Sequence, residues 1–311
     1  MPREIDIICV GETLIDFIGK QTEEPIENTK DYHRYLGGSP TNVAMNMARL
    51  GAKVSMVATV GKDGFGDYIL KRLNEGAINT NYVFEIEDKP TTVIFVNRTV
   101  NTPDFIAFRG ADALISKTQL PDSLLKNAKV FHTSCFALSK KTARNTILEK
   151  AKTAYEFGCQ LSIDINYSEK IWSNKDGAKK AIESYCKLEP LVKVSQDDVD
   201  RLFGAGLSHE EVFNHLHKLG AKIICFTLGK NGAKLSEVGK PVISLSALKI
   251  EKIMDATGAG DAFWSGFLFA YLKNKSSEKC METALKMAAI KLQHVGRVPD
   301  YASALSELLN N

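Results

Sequence analysis

Short apolar runs of strand length alternate with longer amphipathic stretches along most of this 311-residue chain. That alternation constrains the fold more than any other feature. Ile5 to Val10 reads as a buried strand, and Ser39-Pro40 then opens a helix, with Ser as N-cap and Pro in the first turn. Val43, Met47 and Leu50 place an apolar stripe on that helix at i, i+4 and i+7, and Gly51 ends it. Val54 to Val60 is the next strand and Phe65 to Leu73 the next helix, closed by Gly76. Further on, Val130 to Thr133 and Leu161 to Ile165 read as strands, Lys140 to Phe157 and Ala178 to Cys186 as helices. Leu191 to Val194, Ile223 to Leu228 and Ala233 to Ser236 are again strand-like. The C-terminal part predicts helices over Gly260 to Leu272, Ser277 to His294 and Tyr301 to Leu309. Such a pattern predicts an α/β chain with a mostly parallel sheet and helices on both faces. Ligands of these sheets bind at the carboxyl ends of the strands.

The pattern breaks once. Thr91 to Val96 and Phe105 to Phe108 read as strands with no helix between them, and Leu14 to Ile18 and Tyr32 to Leu36 add two more. These four suffice for a small accessory sheet, drawn from about residues 12–36 and 90–110. No repeat, low-complexity tract or Pro/Gly/Ser-rich linker divides the chain, so a single domain over residues 1–311 is expected.

Composition narrows the partners. Hydrophobic residues are 44% and charged residues 25%, which excludes a disordered or collagen-like chain. Forty basic against 37 acidic residues give a net charge of +3, too even for a nucleic-acid or membrane-surface protein. The six cysteines form no C-x-x-C pair and no Cys/His cluster of metal spacing, and read as reduced core thiols of a cytoplasmic protein. The N-terminal Met1-Pro-Arg-Glu-Ile-Asp puts acids ahead of a short apolar run, unlike a signal peptide, and no stretch approaches the ~20 apolar residues of a membrane span.

Four loops can carry chemistry. Asp255-Ala-Thr-Gly-Ala-Gly-Asp261 follows a strand expected over Leu248 to Met254 and opens a helix. Its small residues let backbone N–H groups approach an anion, and the helix N-terminus adds about half a positive charge. Asp261, in the first turn, can accept a proton from an attacking hydroxyl or simply balance the dipole. The loop is not a dinucleotide fingerprint, because position 263 is Phe, and no G-x-x-x-x-G-K-[ST] motif occurs. Gly37-Gly-Ser-Pro-Thr-Asn42 brings backbone amides and an amide side chain to a helix start, which is also an ordinary capped entry. Asp16, an acid inside the apolar run Leu14 to Ile18, needs a partner such as sugar hydroxyls unless it is an exposed loop acid. Thr227-Leu-Gly229-Lys-Asn-Gly232 is a strand followed by a tight turn.

These segments, in this order, resemble the ribokinase-like (PfkB-type) family of sugar kinases, whose hallmarks are the Gly-Gly-x-x-x-Asn helix entry and the late D-x-x-G-A-G-D loop. The resemblance runs from Gly11 to the C-terminal helices. It implies a three-layer α/β/α sandwich with a small β-sheet lid, and transfer of the ATP γ-phosphoryl to a sugar hydroxyl. By the same resemblance Asp261 is the base and Gly258, Ala259 and Gly260 form the anion hole. Asp16, Gly37, Gly38, Asn42, Phe105, Arg109 and Asn166 fall on the sugar side; Ser195, Thr227, Gly229, Gly232, Gly258 and Gly260 fall on the nucleotide side. Asp198 is placed to hold Mg²⁺ through water, and Asp255 with Thr257 resembles a monovalent-cation (K⁺) site. A homodimer closed through the lid is implied by analogy.

Within the family the chain is most similar to fructokinases, through Leu14-Ile-Asp-Phe, Gly37-Gly-Ser-Pro-Thr-Asn, Phe131-His-Thr-Ser134 and Arg109-Gly-Ala-Asp112. The neighbouring expectation is a 2-keto-3-deoxygluconate kinase, whose anionic acceptor would also suit Arg109. A nucleoside kinase and a catalytically weak sugar- or nucleotide-binding protein are the remaining readings. Three positions depart from the family pattern. Ala256 stands where Thr is common, and Ser168 ends an Asp164-x-Asn166-x-x motif that elsewhere ends in Arg, a role open to Lys170. Ser195-Gln-Asp-Asp198 stands where N-x-x-E is frequent.

Overall fold

The structure, a computed structural model, describes residues 3–100 and 103–296. Among these, nine strands form one sheet in the order Ile243–Leu245, Ala233–Glu237, Ile223–Thr227, Leu191–Ser195, Gln160–Ile165, Ala128–Ser134, Ile5–Val10, Val54–Gly61 and Asn79–Ile86. All pairings are parallel except the two that attach Ala233–Glu237 and Ile243–Leu245 at one edge. The Val54–Gly61 strand is buried throughout, as expected of a parallel strand covered on both faces. Alternate residues of the first strand feed two different cores. Ile8 and Val10 face one, Ile7 and Cys9 the other. Two apolar layers, one on each side of the sheet, give the three-layer sandwich.

Strands added after Ile5–Val10 go first to one side of it and later to the other, so the order reverses between Ile5–Val10 and Ala128–Ser134. That reversal opens a crevice at the carboxyl ends of these strands. A separate four-stranded sheet, Tyr32–Gly37, Leu14–Thr22, Val93–Arg98 and Phe105–Phe108, stands over it. Leu14, Ile18, Ile94 and Val96 give this small sheet its own buried face, while Ile106 and Phe108 on the edge strand stay exposed.

The helix Ala259–Leu272 carries the site and is apolar nearly all round, with every residue from Ala262 to Ala270 buried. A helix of that kind is rigidly embedded. It packs against the Ser277–Leu292 helix, and against the Ser39–Arg49 helix through Asn46, whose amide donates to Ser265 Oγ at 3.3 Å. All six cysteines are free and buried. Among the described residues no helix is long and apolar enough to cross a membrane.

The structure corrects several expectations. Leu248 to Met254 is not a strand but an irregular segment. The nearby strand is Ile243–Leu245, a three-residue antiparallel edge whose alternating burial is too short to read as periodicity. Ser39 is not the N-cap. Gly38, with φ of 104°, caps the helix, leaving the Ser39 hydroxyl free for another partner. Asn79–Ile86 is a sheet strand despite its polar sequence, because it lies at the opposite edge and buries only Val83. Gln196–Phe203 and His209–Leu219 are additional helices, both opened by Ser capping boxes. The expected helix Tyr301 to Leu309 lies outside the described residues.

Candidate active site

The centre of the crevice is Asp261, in the first turn of the Ala259–Leu272 helix. Ser39 Oγ donates to its Oδ1 at 2.6 Å and Asn42 Nδ2 to its Oδ2 at 2.8 Å. Both donors lie in the first turn of the helix that follows Gly37-Gly38. Burial pushes the Asp261 carboxyl above its ordinary range, and these hydrogen bonds, with the ammonium groups of Lys193 and Lys291, pull it part of the way back. The carboxylate is therefore fixed in one orientation and is more basic than an exposed aspartate.

Gly258, with φ of 76°, turns the chain into this helix. As a helix start, the turn leaves backbone N–H groups without intrahelical partners. Ala259 N–H closes a turn on the Ala256 carbonyl at 3.2 Å, so the outward-directed amides begin with its neighbours. Behind Gly260 lies Lys193. A side chain at position 260 would put its Cβ 2.8 Å from Lys193 Nζ. A larger residue at position 260 would make that ammonium shift. Burial alone would depress Lys193, but Asp164, Asp198 and Asp261 outweigh it and raise its pKa. Lys193 Nζ is 3.0 Å from each Asp164 carboxylate oxygen, and both side chains are buried. The loop thus has a fixed positive charge beneath it as well as the helix dipole.

On the side of the small sheet, Asp16 pairs with Tyr35 and Ile94 across its two neighbouring strands. Gly37 is what makes room for it, since a Cβ there would overlap the Asp16 carboxylate. Burial, then the charges of Asp261 and Asp255, push Asp16 up to about 7. Glu12 builds the turn beneath. Its carboxylate accepts from Ser39 N–H at 3.0 Å and Ser134 Oγ at 2.7 Å, and its carbonyl accepts from Thr41 Oγ1 at 3.0 Å. Asp16, Asn42, Asp255, Thr257 and Gly258 line one open cleft, together with Tyr35, Tyr68, Arg49, Arg72 and Lys291.

The other expected sugar-side residues have protein partners of their own, and Arg109 also acts on the buried Glu12 carboxylate. Arg109 pairs with buried Asp112, stacks 4.1 Å over the Phe136 ring and donates to Ser139 Oγ at 2.9 Å. Asn166 Oδ1 accepts from Phe136 N–H at 3.0 Å. Phe105 packs partly buried against the core at the edge of the small sheet. Lys170, considered as a stand-in for the missing Arg at Ser168, pairs with Asp104 and donates to the Phe105 carbonyl at 3.2 Å, at the lid.

Of the residues expected on the nucleotide side, Thr227 ends a sheet strand and Gly229 begins the turn after it, with open space at its Cα. Gly232 is held tightly, because a Cβ there would strike the Leu245 carbonyl and come within 2.7 Å of Ala247 N. Ser195 and Asp198 form a capping box at the carboxyl end of the neighbouring strand. Arg201 Nη2 also lies 3.1 Å from Asp198 Oδ1. With three donors on a carboxylate that can accept about four hydrogen bonds, Asp198 still fits one metal-bound water.

Asp255 and Thr257 do not fit an open monovalent-cation site. Asp255 Oδ1 accepts from Thr257 N–H at 3.0 Å, and Oδ2 faces the Lys291 ammonium at 3.7 Å. Sequence reasoning missed Ser39 as an anchor of the base, Glu12, Lys193 and Lys291. For Lys193 a signal existed. A lysine inside Leu191-Val-Lys-Val194, in a strand covered on both faces, requires a buried carboxylate partner.

A profile of the pfkB family carbohydrate kinases matches residues 4–302. An ATP-dependent 6-phosphofructokinase of Thermoanaerobacterium thermosaccharolyticum is 33% identical over 298 residues, covering 96% of this chain and 91% of that protein. The structure of Halothermothrix orenii fructokinase superimposes with a TM-score of 0.81 at 32% identity, covering 92% of this chain and 99% of the other. A sugar kinase of Pyrococcus horikoshii solved with ATP gives a TM-score of 0.83 at 25% identity, covering 97% of each chain. With its hallmark loops assembled around Asp261 and the family profile spanning nearly its whole length, the chain belongs to the pfkB family of carbohydrate kinases.

Proposed function

We propose that this kinase transfers the γ-phosphoryl group of MgATP to a hydroxyl of fructose, giving fructose 6-phosphate. The observation that carries the reading is the Asp261 carboxylate, held at a helix N-terminus by Ser39 and by Asn42, which itself lines the cleft that Asp16 also lines. Asp16 and the free amide oxygen of Asn42 accept from sugar hydroxyls and set the acceptor oxygen against Asp261. Asp261 takes the hydroxyl proton as that oxygen attacks phosphorus. A carboxylate whose pKa is raised is the better acceptor for such a proton. The amides of Gly258 and Gly260, on either side of the engaged Ala259 N–H, act with the helix dipole and Lys193 to offset the negative charge on the transferring group. Thr227, Gly229 and Gly232 lie along the nucleotide, and Asp198 accepts from water on the magnesium that arrives with ATP.

The fructose assignment rests on the sugar-side motifs and on the likeness to the Halothermothrix fructokinase. A second reading is an anionic ketose such as fructose 6-phosphate or 2-keto-3-deoxygluconate. Arg49 and Arg72 on the cleft wall favour it, as does the relative named as a 6-phosphofructokinase. ADP release with MgATP across fructose, glucose, fructose 6-phosphate, 2-keto-3-deoxygluconate and adenosine separates the readings. Fructose is expected to give the highest kcat/KM. The reading fails if no sugar raises ADP release above background.

The same proposal treats residues 1–311 as one kinase domain with the four-stranded sheet as its lid, acting in the cytoplasm. The exposed Ile106 and Phe108 on the lid support a homodimer through that sheet, which sedimentation of wild type against Phe108→Lys would test.

A further inference from the structure

The Asp255 carboxylate is fully buried directly before the anion-hole turn, and a buried carboxylate needs a counter-charge. Lys291 supplies it. This residue lies in the last turn of the Ser277–Leu292 helix, where an ammonium also suits the helix dipole. Its side chain is only 9% exposed, its Nζ is 3.7 Å from Asp255 Oδ2, and it donates to the His294 carbonyl at 3.0 Å. Its stem underlies the anion-hole turn, with Cε 3.5 Å from where a Cβ on Gly258 would stand. The backbones are joined as well, Met254 N–H donating to the Leu292 carbonyl at 2.8 Å.

We propose that the Lys291 ammonium is a built-in replacement for a monovalent cation, so that this kinase orders its anion-hole loop without K⁺. The ammonium carries the charge of a potassium ion, contacts the one Asp255 oxygen that has no hydrogen-bond donor, and takes a backbone carbonyl as a second ligand. A potassium ion bound at that oxygen would sit against a like charge with little water to screen it. Tethered to a helix, Lys291 is always present, whereas an ion must be captured from solution. Its place behind Gly258 makes it a positioning residue for the turn, beside the direct effect of its charge on Asp261.

The proposal deepens the kinase reading, and its test has an arm that does not depend on turnover. Melting temperature and ADP release are measured for wild type and Lys291→Ala, at constant ionic strength, in K⁺, Na⁺ or choline chloride. Wild type is expected to show the same melting temperature and the same rate in all three. Lys291→Ala is expected to lose about tenfold in rate in choline, less than deletion of a direct oxyanion donor costs. Potassium is then expected to raise its melting temperature and rate selectively, which a merely structural role would not produce. Lys291→Arg, which keeps the charge, stays indifferent to K⁺ and serves if the alanine variant does not fold. A saturable rise of the wild-type melting temperature or rate with K⁺ over choline overturns the proposal. So does a Lys291→Ala enzyme as fast in choline as wild type. Failure of every sugar in the rate assay sinks the kinase reading alone, because the melting arm stands without it.

Discussion

Lys193→Met separates what the buried ion pair does for stability from what it does for catalysis. The wild-type pair puts Nζ 3.0 Å from both Asp164 oxygens, with side-chain exposures of 7% and 2%. Removing one partner of such a pair costs about 3–5 kcal/mol, because the other charge is left buried and uncompensated. Asp164 has one escape, which is to take up a proton. Burial already pushes its pKa up and Lys193 holds it down, so without the lysine it rises further. A group whose folded pKa lies above its unfolded value contributes stability at low pH and loses it as pH rises through the folded pKa. The deficit of Lys193→Met is therefore expected to be smallest at acid pH and to grow as pH rises past about 7, read from urea unfolding at each pH. The double variant Lys193→Met/Asp164→Leu replaces the pair by apolar groups of similar size and is expected to regain most of the stability. It should not regain activity, because Gly260 still lacks the charge beneath it. A Lys193→Met variant that loses under about 1 kcal/mol around pH 8, or whose loss is independent of pH, would refute the account. So would recovery of turnover by the double variant.

Asp261→Asn is expected to lower kcat by about 10²- to 10⁴-fold while leaving the melting temperature unchanged or higher, since a buried charge is removed; turnover near wild type would exclude Asp261 as the base. The acid limb of kcat/KM is expected near neutrality rather than near 4, because Asp16 is pushed up to about 7 and Asp261 is also raised; a profile flat from about pH 5 upward contradicts this. Gly37→Ala forces Asp16 out of place and is expected to raise the sugar KM at least about tenfold with little change in the KM for ATP, measured by steady-state kinetics. Burial pushes Glu12 up to about 8, so the folded state holds this proton more tightly than the unfolded chain and stability falls as pH rises from about 4.5 to 8. Glu12→Gln is expected to flatten that fall in urea titrations, and an unchanged slope would show that Glu12 is not its source.

The fold was legible where local rules and burial agree. Val54 to Val60 is apolar at five of its seven positions and is a buried parallel strand, and Gly258 and Asp261 stand at the helix start their sequence announces. It was illegible where burial sets the outcome from a distance. Asn79–Ile86 shows no strand pattern because this edge strand buries one side chain, and Leu248 to Met254 reads as a strand because nothing local shows that it lacks a partner. At the site, the glycines and aspartates identified themselves by spacing. Ser39, Lys193 and Lys291 did not. A serine ahead of a helix ordinarily caps it, and a lysine ordinarily faces solvent; only the approach of Asp261, Asp164 and Asp255 gives these side chains their partners.

The hydrogen bonds that hold Asp261 join residues 222 and 219 positions apart in the chain. Contacts this remote in sequence carry a large loop-closure cost, so the Asp261 carboxylate is oriented only once distant parts of the chain have come together. During synthesis, a nascent chain that has released the first helix and most of the strands still lacks Asp261. All the strands of both sheets precede the Ala259–Leu272 helix, so on the role proposed for Asp261 turnover would report completion of the chain more stringently than strand content does.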